Sequence, residues 1–292
     1  MTKCRPTVRG ASRVKQNWKE ILVGKQHLLY EVRDQIATIT LNRPEAKNAL
    51  SIEMREQLDA ALSETRERTG DDVRALIITG AGGAFCAGGD VKGMNNSQQA
   101  GGVEANASRS RMRGSHSTIY NLFHIELPVI TMVDGAAAGA GANIALAGDF
   151  VLATPRAFFM QAFARIGLVP DWSGFYILPR LVGQMRAKEL VFSGRRVYAE
   201  EAKEIGMIYD VVSQDNAMEE ARAFASRFTH ASTTAIGVAK NVLNQSYNQD
   251  HRTLLEMEAA GQSICRDTEF HKEAVRRFAE KETPLYNWEA FK

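Results

Sequence analysis

Thr79-Gly80-Ala81-Gly82-Gly83-Ala84-Phe85-Cys86-Ala87-Gly88-Gly89-Asp90 is the stretch on which the fold reading turns. It follows Ala75-Leu76-Ile77-Ile78, a short apolar run with the character of a buried strand. Glycine and alanine let a backbone turn tightly and come close to a ligand. A second segment of the same kind, Asp134 to Asn143 (DGAAAGAGAN), follows the apolar run Val129 to Val133. Two such loops, each leaving a strand, can aim two backbone N–H donors at one oxygen. That is the layout of an oxyanion hole.

Outward from these loops, strand and helix patterns alternate. Leu28 to Val32 and Gln35 to Leu41 are alternating runs broken by Arg33-Asp34, which predicts a hairpin. Ser51 stands where an N-cap belongs, ahead of a helix with Met54, Leu58, Ala61 and Leu62 on one face, and Gly70 ends it. Then come a strand over Arg74 to Thr79, a polar loop around 93–108, and a helix around 110–125. A strand over Val129 to Val133, a helix from about Gly141 and a strand over Phe150 to Ala153 follow. This order predicts an α/β core with parallel strands.

Beyond residue 214 the strand signal stops. Residues 216–229, 232–247 and 251–281 have helical composition. Leu254, Leu255, Met257, Ile264, Phe270, Val275 and Phe278 in the last tract suggest docking on the core or on a partner subunit. The expected organisation is a basic extension over 1–26, a core over 27–213 and a helical region over 214–292. The extension carries Lys3, Arg5, Arg9, Arg13, Lys15 and Lys19 and no acidic residue before Glu20. A disordered basic tail and a transit peptide both fit that pattern.

The 292 residues carry 36 basic and 34 acidic side chains, a net charge of +2, which gives no reason to expect nucleic acid or an anionic membrane as partner. Three widely spaced cysteines, Cys4, Cys86 and Cys265, form neither a disulfide framework nor a metal motif. They fit a reducing, cytoplasmic setting. The small apolar stretch between Asp134 and Asp149 is too short to cross a bilayer.

Several motifs in this order resemble the enoyl-CoA hydratase/isomerase (crotonase) family. They are Leu41-Asn42-Arg43-Pro44-Glu45-Ala46-Lys47-Asn48-Ala49-Leu50, Ala84 to Asp90, Gly135 to Asn143, Gly167-Leu168-Val169-Pro170-Asp171, and Leu178 to Gly183. The resemblance runs from about residue 28 to the C-terminus. It implies a crotonase-like spiral of ββα units with a C-terminal helical trimerisation region, assembled as a homotrimer or dimer of trimers. It implies an acyl-CoA thioester substrate, with coenzyme A as part of the substrate and no separate cofactor or metal.

By the same resemblance the thioester carbonyl lies between the backbone N–H groups of Ala87 and Ala140. The positions matching CoA contacts are Ala46, Ala49, Ala87, Gly88, Gly89, Asp90 and Val91. Asp90 is equally suited to capping a helix, and Lys47 and Lys281 are candidates for the CoA phosphates or plain surface lysines. The chemistry stands by itself: a proton lost beside a thioester leaves an enolate, and each fixed donor on its oxygen is worth about 3 kcal/mol in the transition state.

The chain departs from the family at two positions. Hydratases of the family hold a water between two glutamates, and those positions match Asn143 and Phe163 here. Asn143 can orient a water but is no base, and Phe163 only dries the site. The remaining acid is Asp171, at a loop position where related isomerases carry one. Val169, Pro170 and Trp172 flank it, and burial would favour its neutral form. Asp171 is also a plausible helix N-cap. Local motifs are most similar to the isomerases of phenylacetyl-CoA breakdown. The expected activity is isomerisation of a double bond or an epoxide-type ring through a thioester enolate. Alternatives are an enoyl-CoA hydratase using Asp171 and Asn143, a nucleophilic Asp171, and a silent acyl-CoA-binding paralogue. His116 and His124 are expected to be solvated, and Cys86 to be a packing residue.

Overall fold

In the computed structural model the described residues are 26–70, 72–90 and 104–291. The basic segment, the candidate CoA contact Val91 and most of the predicted polar loop lie outside them. Strands β1 (Leu28–Arg33) and β2 (Ile36–Leu41) form the predicted hairpin. Asp34 and Gln35 both take positive φ, 53° and 61°, the backbone of a two-residue turn whose twist matches the strands. Helix α1 (Ile52–Glu67) starts at Ser51, whose side chain accepts from Met54 N–H. Next come β3 (Ala75–Gly80), α2 (Ala105–His124), β4 (Val129–Val133), β5 (Ala136–Ala138), α3 (Ala140–Leu146) and β6 (Phe150–Ala153). These are followed by β7 (Phe158–Met160), α4 (Gly174–Ser193), β8 (Arg196–Tyr198), α5 (Ala199–Glu204) and β9 (Asp210–Val211). The chain ends in α6 (Ala217–Ser226), α7 (Thr233–Gln245), α8 (His251–Arg266) and α9 (Glu269–Glu280).

The main sheet runs β1-β2-β3-β4-β6-β9, with only the β1–β2 pair antiparallel. Strand periodicity divides its residues between two covered faces. Ala37, Ile39, Leu41, Leu76, Ile78, Val129 and Val133 face α1, α2 and α3, where they meet Met54, Leu58, Leu62, Ile119 and Ile144. Ile36, Ala75, Ile77, Ile130, Met132 and Leu152 face α6 and meet Ala221, Phe224 and Ala225. Each fully buried leucine or isoleucine stabilises the fold by about 2 kcal/mol.

A second sheet, β5-β7-β8, stands apart from the first. The sequence reading missed it because each strand has three residues, too few for a period to show. Also unforeseen was the break that divides the predicted 251–281 helix. Thr268 caps a new helix there by accepting from His271 N–H, with Asp267 ending the one before. Helix α4 is kinked, with Pro179 inside it and Gly183 at φ 76°.

Lys240 of α7 docks the helical region on the core. Its ammonium donates to Asp149 Oδ2 at 2.8 Å and to Leu127 O at 3.0 Å, and the same Oδ2 accepts from Val129 N–H. Burial holds the lysine pKa below and the aspartate pKa above their ordinary values. Removing one partner strands the other as a buried charge. Lys240→Met should therefore lower unfolding stability by about 3–5 kcal/mol in a urea titration. Adding Asp149→Asn to it should recover part of that loss.

Candidate active site

Three loops converge beside the N-terminus of α3. The first runs from β3 through Cys86 to Asp90 and is tied to the second by backbone hydrogen bonds. Cys86 N–H donates to Ala136 O and Ala138 N–H to Cys86 O, each at 2.9 Å. The approach is close enough to demand glycine. A Cβ on Gly88 (φ 92°) would lie 2.6 Å from Ala138 O, and one on Gly141 would collide with Cys86 O. Asn48 ties in the segment before α1. It is fully buried, it donates to Ala81 O at 2.8 Å and Ala84 O at 2.7 Å, and it accepts from Arg43 N–H at 2.7 Å.

This stitching decides which N–H groups are left over. Ala87 is not one of them: its N–H donates to Lys47 O at 2.9 Å. The expectation that Ala87 is an oxyanion donor is corrected on that ground. Gly88 N–H faces Cys86 Sγ at 3.4 Å. Gly89 is next, and its N–H has no acceptor among the described residues; the bridge to Leu50 is made instead by Leu50 N–H on Gly88 O. On the second loop Ala140 is the first residue of α3, where an N–H has no intrahelical acceptor. A Cβ on Gly88 would also lie 3.5 Å from Ala140 N, so the first loop passes against the start of α3 one residue before Gly89.

The other predicted positions fall as follows. Ala46 and Ala49 lie on the segment bound to the first loop, and Arg43 spans it, donating to Ala49 O and meeting Asp90 at 3.3 Å. Asp90 is thus paired with an arginine rather than capping a helix of the described residues. Lys47 and Lys281 are both exposed. His116 is exposed, and His124 stacks on Tyr120 and meets Asn241 at 3.3 Å. The Cys86 thiol is buried and pushed up to about 12, which leaves it unreactive.

Asp171 lies just ahead of α4. It is not the N-cap; Ser173 is. Pro170 and Trp172 are buried, whereas Val169 is 68% exposed and supplies no cover. Oδ1 of Asp171 is buried with no hydrogen-bond partner. Burial pushes this carboxyl up to about 6, while its own backbone amide and the Arg55 guanidinium pull the other way. Arg55 reaches the region from α1 and donates to Ser115 of α2 at 3.2 Å. Phe163 is buried against Gly139, 3.6 Å from where a Cβ would stand.

Asn143 is buried one helical turn after Ala140. Its Nδ2 donates to Asp171 O at 2.7 Å and its Oδ1 accepts from Gln161 Nε2 at 2.8 Å. One N–H and one lone pair of the amide are taken up by the protein, which ties Asn143 to Asp171 and to Gln161. Gln161 was not singled out in the sequence. A glutamine between Met160 and Ala162 carries no local signal of its partner 18 residues away.

The enoyl-CoA hydratase/isomerase family model matches residues 31–289. The chain belongs to that family. It is 35% identical to the 1,2-epoxyphenylacetyl-CoA isomerase of Escherichia coli K12 over 89% of this chain and 98% of the relative. It is 36% identical to a probable enoyl-CoA hydratase of Rhodobacter capsulatus, over 88% and 96%. Its fold is that of the enoyl-CoA hydratase/isomerase crystal structure from Cupriavidus metallidurans CH34. The TM-score is 0.84 at 33% identity, covering 90% of this chain and 97% of the other. The crotonase fold expected from the motifs is therefore the fold observed. Among the described residues no group of three or more His, Cys, Asp or Glu could hold a metal, and no helix is long and apolar enough to cross a membrane.

The raised Asp171 pKa has a stability consequence. The folded state keeps this proton to higher pH than the unfolded chain, so stability falls as pH rises from about 4 through about 6 and stays lower above. Asp171→Asn should be more stable than the parent by about 2 kcal/mol at pH 8, after discounting for the carboxyl's partly open edge, and by little at pH 4. Thermal unfolding of both proteins at the two pH values measures the difference.

Proposed function

We propose that this enzyme isomerises unsaturated or ring-containing acyl-CoA thioesters through an enolate, with Asp171 as the proton shuttle. The observation that carries the proposal is the Asp171 carboxyl with its buried, unpartnered Oδ1, on a residue whose backbone carbonyl is tied to Asn143, one helical turn from the N–H of Ala140. Gly89 and Ala140 are the proposed donors to the thioester oxygen. With a 3-enoyl thioester, Asp171 takes a proton from C2. The electron pair delocalises onto the thioester oxygen and C4, and the proton returns at C4 to leave a 2-enoyl thioester. No atom is gained or lost. A carboxyl near 6 is a competent base for the first transfer and a competent acid for the second.

Phe163 and the engaged Asn143 argue against water addition, which needs a second group to hold and activate the water. Similarity to an enzyme named for a ring-epoxide isomerisation makes ring-containing CoA esters the substrates to test beside linear ones. The proposal includes self-association as a trimer or dimer of trimers. Helix α9 buries none of its residues in one chain, and Phe278 on it is 87% exposed.

Incubation with a 3-enoyl-CoA in deuterated water, followed by mass spectrometry and NMR, should give a 2-enoyl product. The rate should fall as pH drops below about 6, where Asp171 takes up its proton. Asp171→Asn should lose at least about 10²-fold in kcat and keep its affinity for a CoA ester. A 3-hydroxyacyl product would establish hydration instead, and unchanged turnover in Asp171→Asn would overturn the assignment of the base.

A further inference from the structure

We propose that Asn143 and Gln161 form a one-directional positioning relay that fixes where the Asp171 carboxyl points. The inference rests on the reading of Asp171 as the proton shuttle. The relay begins at the Asp171 carbonyl oxygen, which accepts from Gly174 N–H at 2.9 Å and from Asn143 Nδ2 at 2.7 Å. A carbonyl oxygen can only accept. Asn143 must therefore turn its NH2 toward it, and its own oxygen must face away. That oxygen meets Gln161, which must in turn present its NH2, at 2.8 Å. Each amide thus determines the orientation of the next, and the order cannot be reversed without two oxygens meeting.

Three further observations give the relay a purpose. Trp172 and Ser173, immediately after Asp171, sit at φ 46° and 63°. Left-handed backbone at an aromatic residue is strained by about 1–3 kcal/mol and persists only where neighbours enforce it. The two donors on the Asp171 carbonyl fix the peptide plane that opens this strained turn. Next, Gly174 leaves room for the amide: a Cβ there would overlap the Asn143 side chain. Finally, both amides are buried, and Gln161 Oε1 is left with no partner. Leaving a buried acceptor unmatched costs about 1–3 kcal/mol. Apolar side chains would fill the same space without that cost, so packing alone does not account for the pair. Released from the relay, the turn can relax and let the carboxyl swing toward water.

The variants Asn143→Leu and Gln161→Met keep approximate volume and remove the donors. Two measurements are made on each and on the double variant. One is steady-state turnover of a 3-enoyl-CoA. The other is the titration of Asp171 by NMR in protein labelled with 13C at aspartate carboxyls, assigned by the signal missing from Asp171→Asn. Asn143→Leu should lower kcat by about 10²-fold with KM changed by less than about threefold. Its Asp171 titration should move from about 6 toward the ordinary value of 3.8. Gln161→Met should shift both readouts the same way by less, and the double variant should be no worse than Asn143→Leu alone.

An unchanged Asp171 titration in Asn143→Leu overturns the relay. So do losses that multiply in the double variant, or a kcat that falls only in step with melting temperature. Turnover retained by Asp171→Asn overturns the isomerase reading instead. In that case, or if no turnover is found, the carboxyl titration still decides whether Asn143 holds Asp171 in place.

Discussion

Backbone contact between the two glycine- and alanine-rich loops is the constraint on which the rest of the site depends. The two hydrogen bonds joining Cys86 to Ala136 and Ala138 make a short parallel bridge outside the main sheet. Such a bridge leaves some N–H groups paired and others free, and the choice is geometric. It engages Cys86 and Ala138, while Lys47 engages Ala87. Among the described residues, what remains is Gly89 on one loop and Ala140 on the other. Fixed donors of this kind need no reorganisation when charge develops, which is why a site built from backbone can act on an enolate oxygen.

The main sheet makes that contact possible. Parallel strands β3 and β4 are adjacent and in register, Leu76 beside Val129 and Ile78 beside Thr131, so both loops leave the same edge of the sheet. Helices cover both faces, and the Lys240–Asp149 pair fastens the helical region to the core next to the start of β4. The loops can be nearly free of large side chains because the stability of the fold is supplied elsewhere. Their small residues are reserved for close approach.

Around the donors, the polar groups are few and separate in kind. Asp171 is kept dry and unpaired at Oδ1, and burial brings its proton affinity close to neutral pH. By the resemblance of its motifs, Phe163 matches a position where hydratases of the family carry an acid. Asn143, at the other such position, has both ends bound to protein. On the proposed reading, one titratable carboxyl beside two backbone donors suits moving a proton between carbons better than activating water.

Much of this was legible in the sequence, for reasons that are local. Apolar runs followed by Gly/Ala loops marked β3 and β4, Ser51 marked the start of α1, and Asp34 the hairpin, because strand burial, capping and turn chemistry act within a few residues. The family motifs pointed to Asp171, Ala140 and Asn143, which the folded chain brings together. The three-residue strands of the second sheet were not legible, since nothing so short carries a period. Neither was the choice of Gly89 over Ala87 as the free donor, which depends on Lys47, 40 positions away in the chain. Gln161 and Lys240 likewise found their partners through space, 18 and 91 residues distant. The sequence by itself determined the α/β architecture, the family and the single candidate acid, because these follow from local pattern and residue type. Only the tertiary structure decided which N–H groups are free and how dry Asp171 is, because hydrogen-bond pairing and burial are set by segments that meet only in the folded chain.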